Sequence, residues 1–371
     1  MGFAAVEDAL DEAVGRRAFP GAVLRVSRDG ELLFEKAVGS RTLDPEPAPL
    51  SVDTVFDLSS LTKPLATTIA VMMLVRDRRL DLDERVARYL PNFSVFGKTG
   101  VTIRHLLTHT SGLAAHRPYY KEAGKLGRLN FVSSREARAW VYEQVHRERP
   151  AAAPGTKAVY SDLGFLVLGQ LVETATAMTL DQFCRRRIFG PAGLGALGFI
   201  DLTMVRAGRV EPVLDRIAAT SRCAWRKQVL CGEVEDENAW LMAGVAGHAG
   251  LFGTAADVDA LASEIEAAGR GQGSFLPREL VAEMWTVDHS VAGSTRTLGW
   301  DTPAASGSAA GSLMSRRTVG HLGFTGTSLW LDLESRVHIV LLTNRVHPNR
   351  DNNKIKEWRP RIHDLVMEAV G

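Results

Sequence analysis

The spacing of apolar positions changes twice along this chain, and the changes divide it into three stretches. Near the start, residues 6–17 carry the spacing of an amphipathic helix. Residues 22–27 and 31–37 then alternate or run apolar on either side of Asp29-Gly30, a favoured two-residue turn, and predict a hairpin. Three prolines in 44–49 predict a loop. From Asp57 to about residue 235 the spacing is helical. The apolar run 65–75 is long enough for three turns. Ser59 is the predicted N-cap, and Pro64 is tolerated because it falls in the first turn, where amides have no intrahelical partner. A short helix is expected before Pro91. Further helices are expected over 103–109 (capped by Thr102, ended by Gly112), from Ser133 or Ser134 to about 149, over 162–176 and over 179–188.

After about residue 235 the pattern changes again. A glycine-rich stretch, 244–253, leads into an alanine-rich helix capped by Thr254 and closed by Gly269. Residues 327–333 and 336–343 predict a second hairpin, and 361–370 a last helix. Strand hairpins at both ends with helices between them predict an α+β fold. In it, an antiparallel sheet built from the N- and C-terminal segments is flanked by helices and interrupted by an all-helical insertion. The expected division is 1–56 with 236–371 for the sheet domain and 57–235 for the helical one, with the active site in the cleft between them.

Composition narrows the function classes. The 371 residues are 45% hydrophobic and 23% charged, an ordinary globular balance, and the net charge of +1 gives no reason to expect nucleic acid or an anionic membrane surface. No apolar run approaches the ~20 residues of a membrane span. The start, Met1 to Asp8, is acidic and unlike a secretory leader, so the sequence as it stands reads as cytoplasmic, or as periplasmic or secreted if a leader once preceded it. Cys184, Cys223 and Cys231 have no metal-like spacing and read as reduced, buried thiols.

The candidate chemistry begins at Ser60-Leu61-Thr62-Lys63, the chain's single Ser-x-x-Lys. A serine at a helix start, with a lysine one turn on, is one way to activate a hydroxyl nucleophile. A capped helix with a surface lysine has the same letters. Tyr160 stands where a loop enters a helix and is placed to relay a proton, or simply to pack, with Asp162 as the helix cap. The glycines of the stretch from Gly320 to Gly326 suit close approach to a ligand or a tight turn at a strand end. Lys98-Thr99-Gly100 lies in a polar loop with no strand to line a cleft. His105 and His109 have metal spacing but no third ligand, and read as capping or packing residues. No metal and no cofactor is expected. The absence of Gly-x-Ser-x-Gly argues against an α/β-hydrolase, and the absence of a Gly-x-Gly-x-x-Gly that follows a strand argues against a dinucleotide fold.

Ser60-Leu61-Thr62-Lys63, Tyr160-Ser161-Asp162 and His321-Leu322-Gly323, in that order, resemble the three motifs of the serine β-lactamase and penicillin-binding protein superfamily, in its class C-like branch. Leu106 to Leu113, Pro154-Gly155-Thr156 and Ala246 to Phe252 extend the resemblance over nearly the whole chain, and Leu341 to Pro348 looks like a subgroup holding muropeptide amidases. The resemblance implies a β-lactamase/transpeptidase-like fold and an acyl-serine hydrolase of amides or esters. Its substrate would be a small molecule or peptide. Cell-wall-like peptides (D-amino-acid peptidase, carboxypeptidase or muropeptide amidase activity) stand beside small esters (a carboxylesterase). A non-catalytic penicillin binder or sensor is the alternative of another class. It also implies Ser60 as nucleophile, Lys63 and Tyr160 sharing its proton, the amides of Ser60 and Phe324 as oxyanion hole, and Asp162 anchoring Lys63. His321 replaces a lysine, Leu322 a threonine, Asp162 an asparagine and His116 a glutamine of the class C pattern. With Gly323, His321, His116 and Asp162 form the expected substrate-binding or supporting set, and weak β-lactam hydrolysis at most is expected. Residues 114–131 and 202–235 are expected to shape the cleft. Oligomeric state is left open.

Overall fold

The computed structural model describes residues 2–127, 131–273 and 275–371. Six antiparallel strands form the main sheet, and their order requires both ends of the chain. Gly21–Arg28 pairs with Glu31–Thr42 on one side and with Val337–Thr343 on the other. Beyond Val337–Thr343 lie Ser328–Asp332 and then Thr318–Leu322 at the edge, and Ala48–Pro49 closes the opposite edge. Asp29 and Gly30 both have positive φ (55° and 81°), as the tight turn between the first two strands demands.

The period of two decides what each face buries. Leu24, Val26, Ile339 and Leu341 meet Val6 and Leu10 of the helix Ala4–Gly15 and Trp358 and Ile362 of the helix Ile355–Val370. Their sequence neighbours Val23, Val340 and Leu342 face the other way, into the cluster that contains Val258, Leu261 and Ala262 of Ala255–Gly269. That cluster continues without a break into the helical stretch. There Asp162–Thr176, buried along most of its length, is surrounded by Ile69–Arg76, Ile103–Leu107 and Arg135–Arg147. The fold is thus a mixed helix and antiparallel-sheet architecture. Among the described residues no single helix is long and apolar enough to cross a membrane.

Several expectations need correction. The strand Thr318–Leu322 was missed because Gly320 interrupts its apolar alternation. Glycine is required there by packing, since a Cβ would lie 2.2 Å from the Trp330 ring. The proline-rich 44–49 is not all loop: Ala48–Pro49 pairs at the sheet edge, where a missing N–H costs little. The insertion is not all-helical, since Gly198–Phe199 joins Phe56–Asp57 and Leu251–Gly253 in a small sheet and Arg222–Cys223 pairs with Gln228–Val229. The last helix starts at Ile355 rather than 361 and carries Pro360 inside it. Burial of Ile355 and Trp358 on the sheet outweighs the hydrogen bond that proline forfeits. The thiols are free, but Cys231 is only partly buried.

Candidate active site

The small sheet delivers the chain from Phe56–Asp57 into a strained turn. Ser59 has φ +49°, and its N–H donates to Asp57 Oδ1 at 2.8 Å. Asp57 therefore holds the turn, and Ser59 is not the helix cap expected of it. The turn does not lead into a plain α-helix: a 3-10 turn, Ser59–Leu61, widens into a π turn, Lys63–Thr68, before Ile69–Arg76. Such widened turns are frequent at functional sites.

The π turn carries the Lys63 side chain fully out of solvent. Its ammonium donates to Ser60 Oγ (3.0 Å) and to the His248 carbonyl (3.0 Å), and meets Asp162 Oδ1 at 2.8 Å and the Tyr160 hydroxyl. Burial alone would strip its proton, but the charges and hydrogen bonds of Asp162 and Tyr160 outweigh burial and raise its pKa. Asp162, which burial would push up, is held well below the usual carboxylate range, chiefly by Lys63. Asp162 is free to do this because Ser161, not Asp162, caps Asp162–Thr176, its hydroxyl accepting from the Gly164 N–H at 3.2 Å.

Tyr160 is held by a residue expected only to pack. The His109 carbonyl accepts the Val159 N–H (2.9 Å) and His109 Nδ1 accepts the Ser161 N–H (3.0 Å), so both neighbours of Tyr160 hang from one side chain and its backbone. The two rings lie 4.6 Å apart. Burial, then Arg296 and Lys63, keep His109 neutral. His105 turns away to complete a capping box with Thr102, so the pair does not converge on a metal. Arg296, paired with Asp301 at 2.9 Å, places its guanidinium 5.2 Å from the Tyr160 ring centroid. It lies in a loop whose sequence has no period, and no signal marked it.

His321 sits on the edge strand with Nδ1–H donating to the Leu322 carbonyl (2.8 Å). Burial, then Lys63 and Arg296, push its pKa down to about 3, so it is neutral rather than partly charged near pH 7. His116 is half-exposed with Nδ1 3.7 Å from Asp162 Oδ2, and hydrogen bonding to Asp162 raises its pKa against the cost of burial. Gly323 approaches protein rather than ligand: a Cβ there would lie 2.0 Å from Thr327 Oγ1 and 2.7 Å from the Leu58 carbonyl. The Phe324 N–H points at Ser59 Oγ (3.1 Å), while Arg345 grips the Phe324 carbonyl with Nε (2.9 Å) and Nη2 (2.6 Å). Lys98 is spent on three carbonyls away from this site.

Ser60, His116, Tyr160, Asp162, His321 and Phe324 line one cleft of about 790 Å³, with Gly323 at its wall and Lys63 behind Ser60. Of the two segments expected to shape it, 114–131 contributes His116 and Tyr120 and 202–235 contributes Glu235; residues 128–130 lie outside the described residues. Glu235, Asp236, Glu237, Arg345, Lys356 and Arg359 also line the cleft.

The family model described as Beta-lactamase matches residues 6–361. A Salmonella enteritidis PT4 protein provisionally named D-alanyl-D-alanine carboxypeptidase is 32% identical over 364 residues, covering 91% of this chain and 81% of the relative. Among solved structures, EstCE1, described as a hydrolase with promiscuous acyltransferase activity, superposes with TM-score 0.76 at 25% identity, covering 98% of this chain and 97% of that one. The octameric penicillin-binding protein homologue from Pyrococcus abyssi shares the fold with TM-score 0.74 at 20% identity, covering 99% and 78%.

Proposed function

This chain belongs to the β-lactamase family and is a serine hydrolase; from that premise we propose that Ser60 forms an acyl-enzyme with peptide-like amides that carry an anionic group, in the manner of a D-alanyl carboxypeptidase. One observation carries the assignment of the nucleophile: a fully buried lysine ammonium joins Ser60 Oγ, Asp162 and Tyr160 in a single cluster. Because Lys63 holds its proton, it is a donor and not the base. The Tyr160 hydroxyl is the group left to relay the Ser60 proton: as the Oγ–carbon bond forms and the scissile bond breaks, its oxygen accepts the Ser60 proton and its own proton passes to the leaving nitrogen. In deacylation the relay runs from water through Tyr160 to Ser60 Oγ. The Ser60 and Phe324 amides would stabilise the oxyanion, each such donor being worth about 10²–10³ in rate.

The anionic group is argued from charge. His321 supplies none. Arg345 and Arg359 are both buried, and neither has a carboxylate within ion-pair reach among the described residues. Burial lowers the pKa of Arg345, and burial together with the neighbouring Arg345 lowers that of Arg359 to about 10. Two guanidinium groups without counter-ions at the cleft favour a ligand that brings one.

A second reading, an esterase or acyltransferase, is favoured by the likeness to EstCE1 and by the neutral His321. The test compares wild type with Ser60→Ala on an activated ester and on a peptide ending in D-Ala-D-Ala, with intact mass after exposure to a penicillin. Loss of turnover and of any adduct in a folded Ser60→Ala supports the nucleophile, and full turnover by that variant refutes it. Peptide turnover selects the first reading; ester turnover alone selects the second.

A further inference from the structure

The proposed oxyanion hole has two donors, and one of them is occupied. Ser59 Oγ accepts the Phe324 N–H at 3.1 Å. Nothing about this contact is loose. The Ser59 backbone is fixed by its N–H on Asp57 Oδ1 (2.8 Å) and by its carbonyl, which accepts from Thr62 Oγ1 at 2.6 Å. Its positive φ is what turns the side chain away from the helix and towards the strand that ends just past His321. Across that gap, Thr325 Oγ1 donates to the Asp57 carbonyl (2.8 Å) and Thr327 Oγ1 to the Leu58 carbonyl (3.2 Å), so the two segments are strapped together beside the contact. Arg345 pins the Phe324 carbonyl from behind, and the N–H cannot swing elsewhere. Ser59 is 7% exposed and lines the cleft beside Ser60.

A substrate oxygen and Ser59 Oγ therefore compete for one hydrogen. We propose that the Ser59 hydroxyl is a built-in stopper of the oxyanion hole, a positioning residue that keeps the hole closed at rest. It opens by rotation about χ1, when charge develops on the substrate oxygen. The inference rests on the acyl-serine reading above. A neutral hydroxyl is a weaker acceptor than a developing oxyanion, so the exchange is favourable late in the attack and not before it. Its cost falls on the chemical step and leaves ground-state binding alone.

The test uses the full chain with Ser59→Ala and Ser59→Gly, a p-nitrophenyl ester as substrate and phenylboronic acid as a tetrahedral mimic. Boron takes the Ser60 oxygen, and a boron-bound hydroxyl then occupies the hole. Both variants lack the hydroxyl, but only glycine relieves the positive φ. The expected result is a kcat about two- to tenfold higher in both, the range of one displaced neutral hydrogen bond, with KM within twofold of wild type and phenylboronic acid bound tighter by the same factor. An unchanged kcat in both overturns the proposal. A fall in both overturns it by making the hydroxyl a donor to the oxyanion, and a rise in the glycine variant alone overturns it by assigning the effect to strain. Ser60→Ala run in parallel separates these results from failure of the acyl-serine reading, which only that variant's continued turnover would show.

Discussion

Lys63 has no route to solvent, and a lone buried ammonium is costly enough that it would normally surrender its proton. Asp162 is what keeps it charged. Replacing that carboxylate by the amide in Asp162→Asn leaves burial as the leading influence, so the Lys63 pKa falls. The alkaline limb of kcat/KM then moves to lower pH, and breaking the buried pair costs ~3–5 kcal/mol of stability. A pH–rate profile and a urea titration check this; an alkaline limb that stays where it is removes Lys63 from the titrating machinery. The spacing of Ser60 and Lys63 and the loop–helix junction at Tyr160 made these three legible as candidates, while the partnership of Asp162 with Lys63 came from the family resemblance and not from residue types, which read Asp162 as a helix cap. They did not disclose the roles of His109 and Arg296. Both act on Tyr160 across more than 50 residues of chain, and neither the spacing of His105 and His109 nor the loop around Arg296 encodes that proximity. Nor did they disclose that His321 is neutral, since its charge state is set by burial.

At the scale of elements, legibility followed packing pattern. Both hairpins and the helices Asp162–Thr176 and Ala255–Gly269 repeat an apolar period over enough residues to be unambiguous. The strand Thr318–Leu322 and the π turn Lys63–Thr68 do not. The first is dictated by a glycine that admits the Trp330 ring, and the second by a lysine that must reach a serine, a tyrosine and an aspartate at once. The strand meets the 3-10 turn Ser59–Leu61 that precedes the π turn, and Gly323 sits at that junction against Leu58. Alanine there would drive a methyl into Thr327 Oγ1 and the Leu58 carbonyl, and backbone cannot yield as a side-chain tip can. Gly323→Ala is expected to cost ~1–3 kcal/mol of stability from overpacking. Because the strain falls between the Ser60 turn and the Phe324 amide, kcat should drop by tenfold or more with little change in KM. Thermal melts paired with steady-state kinetics read both quantities. A variant that melts early but keeps its kcat would mean the turn and strand need not be in register for the chemistry.

For the molecule as a whole, buried histidines set how it responds to acid. His321 and His363 have pKa values pushed down to about 3 by burial, and His109 is lowered well below its usual value for the same leading reason. In the unfolded chain each takes a proton near pH 6.5. Between about 6.5 and 3 the unfolded state therefore binds protons that the folded state refuses, and each histidine removes ~1.4 kcal/mol per pH unit as the pH falls. Asp57 works the other way, because burial raises its pKa to about 7 and the folded state takes up a proton that the unfolded one refuses until about pH 4. His338, wedged between Asp259 (3.2 Å) and Glu266 (3.2 Å), has a raised pKa. Its contribution is complete below pH 6.5 and is lost only as the pH rises through that raised value, so it adds no slope on the acid side. With His105, His146 and His347 also lowered by burial, the histidines outweigh the one carboxyl and leave a net loss on acidification. The urea midpoint should fall from pH 7 to pH 5.5, well before the paired carboxylates of Asp162, Asp236 and Asp259 begin to protonate. His363 lies on the C-terminal helix with Nδ1–H donating to the Ala309 carbonyl, and its titration is read from unfolding rather than from activity. His363→Leu should flatten the slope between these two pH values by ~0.8 kcal/mol per pH unit, because the unfolded histidine is only partly protonated at pH 7, whatever it does to stability there. If the slope survives intact, His363 is not held neutral and the acid sensitivity comes from elsewhere.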